Sequence, residues 1–290
     1  MKALILVVLA GCTTVDDDIG PWQPAGAITG LMAPELGPPP VPRPPPVGPP
    51  RIATWNVHFG GDPEGLAQSL AGDPALADID VLMVQEIEAY PGEPGTRASR
   101  LAAALGMTWF YAPARPKDDG THGIAILARY PLLDPEVRQL PYYESIGQEN
   151  RIAMAALLDL GDRQLQLVNV HLDVRLGAND RIHQLAPAIT EFAGPLVLAG
   201  DFNSAPWAWA DSVPLFGVEA IAGQDQAAVL DDYLGGNDFA IAIPAGTQTL
   251  LALPSVRCDD VYARGGTIGA AAVEHITGSD HWPVWADVDL

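Results

Sequence analysis

From Arg51 onward the chain is a succession of short apolar runs separated by polar, Gly- and Pro-containing breaks, and most of the runs have strand length. Arg51 to Val57 (RIATWNV), Asp80 to Glu86 (DVLMVQE), Thr108 to Ala112, Gly123 to Ala128 (GIAILA) and Pro195 to Ala199 (PLVLA) predict buried strands. Arg151 to Leu160 and Gln164 to Leu172 predict two strands joined by a hairpin at Gly161-Asp162. Val256 to Ala263, Ile268 to Ile276 and Trp282 to Val288 predict three closing strands. A helical spacing appears over Pro63 to Ala77, broken by Gly72 and Pro74, over Thr96 to Leu105, closed by Gly106, and over Asn179 to Phe192. Residues 207 to 245 fit neither period and read as helical or loop insertions. Many strands with a few interspersed helices, and no solenoid repeat, predict an α+β domain over residues 51–290 with sheets packed face to face.

The first fifty residues follow a different pattern. Lys2 precedes an apolar stretch, Ala3 to Ala10, too short to span a bilayer but suited to the core of a secretory signal. Leu9-Ala10-Gly11-Cys12 resembles a bacterial lipobox, which implies a signal peptide over residues 1–12 and lipidation of Cys12. Thr13, rather than Asp, after the cysteine resembles the outer-membrane sorting pattern where the cell has an outer membrane. Pro38 to Pro50 (PPPVPRPPPVGPP) favours polyproline II, so residues 13–50 read as a Pro-rich, disordered tether extending about 3.1 Å per residue. A proline-motif ligand for a partner domain is the other reading of this stretch. The expected location is the cell envelope, with the domain facing the periplasm or exterior.

Composition narrows the function. The chain is 48% hydrophobic and 18% charged, enough for a sizeable core, and it has no apolar run of membrane-spanning length. Its formal net charge is −21, with Lys2 and Lys117 the only lysines, which argues against a broad basic nucleic-acid clamp. Two cysteines, one of them at the lipobox, exclude a disulfide scaffold. A monomer with no protein partner is the expectation.

Polar residues stand where apolar strands end: Asn56, Glu86, His171, Asp201 with Asn203, and Asp280 with His281 before the last strand. Each alone reads equally well as a loop residue or a strand cap. Together they are costly to bury without a joint purpose. Glu86, Asp280 and Asn56 offer hard oxygen donors suited to Mg²⁺, Mn²⁺ or Ca²⁺, whereas the His and Cys spacing of a zinc site is missing from the sequence. A divalent cation beside His171 and His281, with no serine or cysteine nucleophile in evidence, suits water attack on a phosphate ester.

The ordered segments Thr54-Trp55-Asn56, Val84-Gln85-Glu86, Gly123-Ile124-Ala125-Ile126-Leu127, Asn169-Val170-His171-Leu172, Gly200-Asp201-Phe202-Asn203, Arg257-Cys258-Asp259 and Ser279-Asp280-His281 resemble the endonuclease/exonuclease/phosphatase superfamily, which includes deoxyribonuclease I and bacterial sphingomyelinases. The resemblance covers nearly all of residues 51 to 290. It implies a four-layer αββα sandwich with the site at one end of the two sheets. It also implies roles: Glu86 as principal metal ligand with Asn56 and Asp280; Asp201 orienting or deprotonating water; Asn203 holding a phosphate oxygen. By the same resemblance His281 stabilises the phosphate, with Asp259 orienting its ring, and His171 contacts the phosphate or protonates the leaving group. Mg²⁺ is the implied cofactor, with Mn²⁺ as the other candidate.

Arg151 reads either as a phosphate contact or as a surface arginine. Arg181 and Gln184 read as rim or packing residues, Trp207 and Trp209 as cleft or core, and His58, His122 and His183 as non-catalytic. Asp260 stands where relatives often carry Tyr or Trp, which predicts extra negative charge near the substrate. The implied activity is a metal-dependent phosphodiesterase or nuclease. A sphingomyelinase or phospholipase C-like enzyme acting on lipid headgroups is the alternative, and an inactive surface module is a third. The lipobox reading predicts that Cys12→Ser moves the protein from the membrane to the soluble fraction on cell fractionation; continued membrane attachment would contradict it.

Overall fold

The computed structural model describes residues 15–16, 19–27, 32–143, 150–205, 207–210, 213–216 and 225–289. In chain order the elements are β1 (Val15–Asp16), β2 (Gln23–Pro24), β3 (Glu35–Leu36), β4 (Arg51–Phe59), α1 (Pro63–Gly72), β5 (Val81–Ala89), α2 (Arg97–Leu105), β6 (Thr108–Lys117), β7 (Gly120–Ala128), β8 (Leu132–Gln139) and β9 (Tyr142–Tyr143). They continue with β10 (Ile152–Asp159), β11 (Gln164–His171), α3 (Ala178–Ile189), β12 (Leu196–Asp201), β13 (Trp207–Ala210), β14 (Val213–Phe216), α4 (Gln226–Gly235), β15 (Phe239–Ile241), β16 (Asp259–Arg264), β17 (Thr267–Val273) and β18 (Val284–Asp289).

Two mixed seven-stranded sheets form, in the orders β17-β18-β4-β5-β7-β6-β3 and β15-β16-β12-β11-β10-β8-β2. The strand period decides what lies between and outside them. In β4, Ile52 points to the inter-sheet core and Ala53, Trp55 and Val57 point to the helix side. Helices α1 and α2 cover that side through Leu66, Leu70, Ala98 and Leu101. On the other sheet α3 and α4 pack Leu185, Ala188, Leu230 and Leu234 over Val168, Val170, Leu196 and Leu198. Three apolar layers between four structural layers make the αββα sandwich.

The helices start and stop where local chemistry dictates. Asp62 caps α1 by accepting from Gly65 N at 3.0 Å, and Thr96 caps α2 by accepting from Ser99 N at 3.1 Å. Gly106, at φ +66°, closes α2 in the left-handed conformation. Helix α1 ends at Gly72, where the sequence pattern breaks.

Three findings depart from the sequence pattern. Strand β8 lies in a stretch the pattern does not mark, because Pro135 and the charged Asp134, Glu136 and Arg138 interrupt its apolar period; it lies next to the sheet edge, opposite an irregularity in β10, where proline is tolerated. Within residues 207–245 the structure places the short ribbon β13–β14, helix α4 and strand β15. Trp207 and Trp209 lie on the ribbon, but their side chains, and with them the cleft-or-core expectation, fall outside the described residues.

The third departure concerns the expected tether. Residues 1–14, including the lipobox, lie outside the described residues, but residues 19–27 and 32–50 run along the domain. Strand β2 pairs with β8 (Gln23↔Val137), and β3 pairs with β6 (Glu35↔Tyr111). Arg138 donates to the Gly20 carbonyl at 3.2 Å, and the Trp22 and Phe192 rings sit 5.2 Å apart. The physical reason is edge coverage: β8 and β6 would otherwise end their sheets with unpaired backbone groups, and these short strands satisfy part of them.

Gly200 is the tightest point of the second sheet. At φ +155°, a Cβ there would sit 2.0 Å from the Val170 carbonyl oxygen, a backbone atom with no freedom to move. Gly200→Ala is therefore expected to cost at least about 2 kcal/mol of stability. Urea denaturation checks this, and an unchanged midpoint would contradict the close approach.

Candidate active site

On the inter-sheet face each central strand is apolar along most of its length and turns polar at one common end. The inward positions run Ile52–Thr54–Asn56 in β4, Val81–Met83–Gln85 in β5, Leu165–Leu167–Asn169–His171 in β11 and Val197–Ala199–Asp201 in β12. In β16 the antiparallel order puts Asp259 first, before Val261 and Ala263. The ladder aligns His171↔Asp201 and Asp201↔Asp259, so three ionisable groups form one row across neighbouring strands.

Just below this row a buried polar layer joins the sheets. Gln85 Nε2 donates to Asn169 Oδ1 at 2.8 Å and to Thr54 Oγ1 at 3.0 Å, while Asn169 Nδ2 donates to the Ala125 carbonyl at 2.8 Å. Each group is buried and satisfied, as a polar layer in a core requires.

The first sheet contributes through irregular backbone. The β4–β5 and β5–β7 ladders shift register around residues 56–59 and 84–87. Glu86 sits at φ +56°, and His58 and Phe59 also have positive φ. A bulge re-aims the side chain it carries, and non-glycine residues adopt this conformation rarely. Asn203 on the second sheet shares it, at φ +50°.

His281 offsets part of the negative charge of the row, and hydrogen-bond donors meet its carboxylates. His281 Nδ1 lies 2.8 Å from Asp259 Oδ2. Asn56 Nδ2 donates to Asp201 Oδ2 at 2.9 Å across the sheets, and Asn203 N donates to Asp201 Oδ1 at 2.8 Å. Burial disfavours a charged His281, but the charge and hydrogen bond of Asp259, helped by Asp201 and Asp280, outweigh it and push its pKa up to about 10. Burial and the neighbouring Asp259 charge push Asp201 up to about 7, against the opposing effects of His281, Asn56 and the Asn203 amide. Burial, and then the positive field of Arg151, hold His171 well below its ordinary value, so it is neutral at pH 7.

The other expected site residues of the domain have defined places, whereas Cys12 lies outside the described residues. Glu86 Oε1 is 3.9 Å from His171 Nε2, beyond hydrogen-bond distance and open to a cation. Asp280 is half-exposed at the mouth, 3.3 Å from His58 Nδ1. Asn56 Oδ1 accepts from His58 N at 3.1 Å. Asn203 Nδ2 donates to the Leu172 carbonyl at 2.9 Å. Arg151 is buried rather than superficial, its Nε 4.0 Å from Asp173. Arg181 and Gln184 are packing residues: Arg181 donates to the Asp173 and Val174 carbonyls, and Gln184 bonds Asp173 N and the Pro141 carbonyl, fixing the loop after His171. Asp260 does not add charge near the substrate as the sequence suggests. Alternation along β16 turns it away from Asp259, and it is buried 2.8 Å from Arg257, which also binds Asp231 of α4.

Two groups of potential ligands result, Glu86 with His122 and His171, and Asp201 with Asp259 and His281; within each group the donor atoms lie within 4.8 Å of one another. Buried Asp259 Oδ1 has no hydrogen-bond partner among the described residues. Carboxylate oxygens beside imidazoles fit a divalent cation; Glu86 is partly buried near His171, and Asp280 is the more exposed carboxylate.

Sequence reasoning overlooked several contributors. His122, read as non-catalytic, is buried with its ring 6.3 Å from that of His171; its inward alternation with Ile124 and Ile126 was the available signal. Thr249 Oγ1 accepts from Cys258 N at 2.9 Å, placing the start of β16, and nothing in its sequence context announces this. Trp55 Nε1 donates to the His281 carbonyl at 2.9 Å, and Ser279 Oγ joins the Asn56 carbonyl at 2.7 Å to His281 N at 3.1 Å. These bonds tie the last loop to β4.

The fold and the buried acidic and histidine clusters are those of a phosphoester hydrolase. A sequence model of the Endonuclease/Exonuclease/phosphatase family matches residues 53–281, which include all the strand-end residues above, and the chain belongs to that family. No curated protein sequence matches it. Among solved structures, a functionally unknown conserved protein from Enterococcus faecalis V583 is similar at 21% identity and a TM-score of 0.57, covering 82% of this chain and 98% of its own. A family protein from Leptotrichia buccalis C-1013-b is similar at 13% identity and 0.59, covering 83% and 100%. The mannosyl-6-phosphatase of Bacteroides thetaiotaomicron VPI-5482 is similar at 15% identity and 0.59, also covering 83% and 100%. At these identities the likeness is one of fold.

The His281–Asp259 pair has a pH signature. A histidine whose folded pKa exceeds its unfolded value stabilises fully below about pH 6.5. That contribution is lost as pH rises through the folded pKa of about 10. Wild-type stability is expected to fall relative to His281→Gln between pH 7 and 10, by up to about 4 kcal/mol. Urea titrations of both proteins across that range check it, and parallel curves would contradict the buried ion pair.

Proposed function

We propose that the protein is a metal-dependent phosphodiesterase in which water attacks phosphorus between the two sheets, one ester P–O bond breaks, and the departing alkoxide leaves as an alcohol with a proton from solvent. The observation that carries this reading is the Asp201–Asp259–His281 cluster, a buried base candidate beside a histidine held protonated by its own carboxylate. Asp201 takes the proton of the attacking water, its pKa near 7 leaving a usable fraction ionised at neutral pH. Asn56 and the Asn203 amide hold its oxygens in place. Protonated His281 donates to a phosphoryl oxygen as charge accumulates there. Neutral His171 contacts the phosphate, which suits its depressed pKa better than protonating a leaving group does. Arg151 adds positive field from behind His171.

A divalent cation, Mg²⁺ in this proposal with Mn²⁺ as a substitute, would be held by Glu86 with Asn56 and Asp280. When bound it supplies Lewis-acid stabilisation of the phosphate charge. The net charge of −21 favours substrates of low charge, and a diester carries one negative charge per phosphate. Nucleic acid and lipid headgroups are the two diester sources considered. The lipidated Cys12 and an envelope location belong to the same proposal; among the described residues no helix is long and apolar enough to cross a membrane.

His281→Gln and Asp201→Asn are each expected to lower kcat on bis(p-nitrophenyl) phosphate by at least about 10²-fold while folding normally. EDTA is expected to abolish turnover, with Mg²⁺ or Mn²⁺ restoring it. Plasmid DNA and sphingomyelin vesicles, assayed in parallel, separate the two diester sources. Near-wild-type turnover in either variant, or full activity in EDTA, would overturn the mechanism.

A further inference from the structure

A cavity of about 430 Å³ opens beside the catalytic row, in the inter-sheet space between the ends of β6 and β8. Its volume lies in the range of small-molecule sites. Its outer wall is the N-terminal segment, including Pro21 and Gln23, which lies upstream of the residues that match the family. That wall is held by the pairing of β2 with β8 and by the Arg138 bond to Gly20. The cavity adjoins the catalytic groups on two sides: Arg115, in its lining, pairs with His122 in the β6–β7 ladder, and Asn150, also in its lining, precedes Arg151.

The lining chemistry is selective. Gln23, Gln139 and Asn150, three exposed residues with amide side chains, are among those that line the cavity. An amide both donates and accepts, which matches a hydroxyl that does the same. Among the described residues the lining holds no aromatic ring and no carboxylate. A nucleobase would want an aromatic face to stack on, and a quaternary ammonium such as choline would want an aromatic cage or an acid. Neither finds its partner among the described lining residues.

We propose that this cavity binds the alcohol portion of the substrate and takes a neutral polyhydroxylated group, such as glycerol, a sugar or a cyclic polyol, with residues 20–27 completing the subsite. The proposal rests on the phosphodiesterase reading for its link to catalysis, but not for the binding itself. The preferred diester is then a polyol phosphodiester, either soluble or as the headgroup of a lipid.

The test uses the full chain and glycerophosphoinositol as probe. In EDTA, ligand-detected NMR titration is expected to show binding to wild type, weakened about 3- to 10-fold in Gln23→Ala and Gln139→Ala, the size of one lost hydrogen bond. With Mg²⁺, the same two variants are expected to raise KM for glycerophosphoinositol by a similar factor. Their kcat, and their turnover of bis(p-nitrophenyl) phosphate, should stay within about twofold of wild type. Asn150→Ser replaces either glutamine variant if its circular dichroism shows misfolding. Absence of binding to wild type, or equal binding by wild type and variants, overturns the subsite even if the simple diester is hydrolysed. Binding that the variants weaken, without hydrolysis of any ester, keeps the subsite and overturns the phosphodiesterase reading. Hydrolysis of phosphatidylinositol vesicles but not of glycerophosphoinositol assigns the polyol to a lipid, and the reverse assigns it to a soluble ester.

Discussion

Two carboxylates, Asp201 and Asp259, are fully buried in one cluster with a single cation, the His281 imidazolium. Burying such charges without partners costs several kcal/mol each, so the surrounding structure is arranged to supply donors. Asn56 reaches across from the other sheet, the Asn203 amide turns back in a left-handed conformation, and Thr249 holds the start of β16. Burial and the Asp259 charge raise the Asp201 pKa to about 7 even so, Asp259 Oδ1 has no partner among the described residues, and the cluster remains short of positive charge. That residual electrostatic need is what a divalent cation is suited to meet.

The two sheets make this arrangement possible because their shared face changes character along its length. Apolar packing from Ile52, Met83, Leu167 and Val197 holds the sheets together over most of the strands. The Gln85–Asn169–Thr54 layer then keeps them joined where the core gives way to the site. Such a layer is directional, whereas apolar contacts alone would allow the sheets to slide. The row of His171, Asp201 and Asp259 thus inherits its spacing from the strand ladder, and its depth from the layer beneath it.

The N-terminal segment adds a second theme. Proline-rich composition predicts an extended chain with little self-association, and that extended form suits short strand additions to the exposed edges of β6 and β8. The cavity beside the catalytic row lies where this segment crosses the inter-sheet opening. The family match covers the ionisable cluster, while this segment lies outside the match and borders the cavity.

Much of this was legible in the residues. The apolar runs of strand length in RIATWNV and DVLMVQE mark buried strands, the caps at Thr96 and Gly106 mark a helix, and polar residues at strand ends mark the place of the chemistry, because those signals are local and each residue carries its own. Strand β8 was not legible, since its place in the sheet comes from its neighbours rather than from its own Pro135-interrupted pattern. The orientation of Asp260 away from the site, the burial of Arg151 and the nearness of His122 to His171 were not legible either. The sequence by itself determined most of the central strands, an α+β class with packed sheets and the identity of the ionisable groups. Only the tertiary structure decided which of those groups share one buried cluster, what their pKa values become and which edge the N-terminal segment covers, because each of these depends on distances between residues far apart in the chain and on the water their packing excludes.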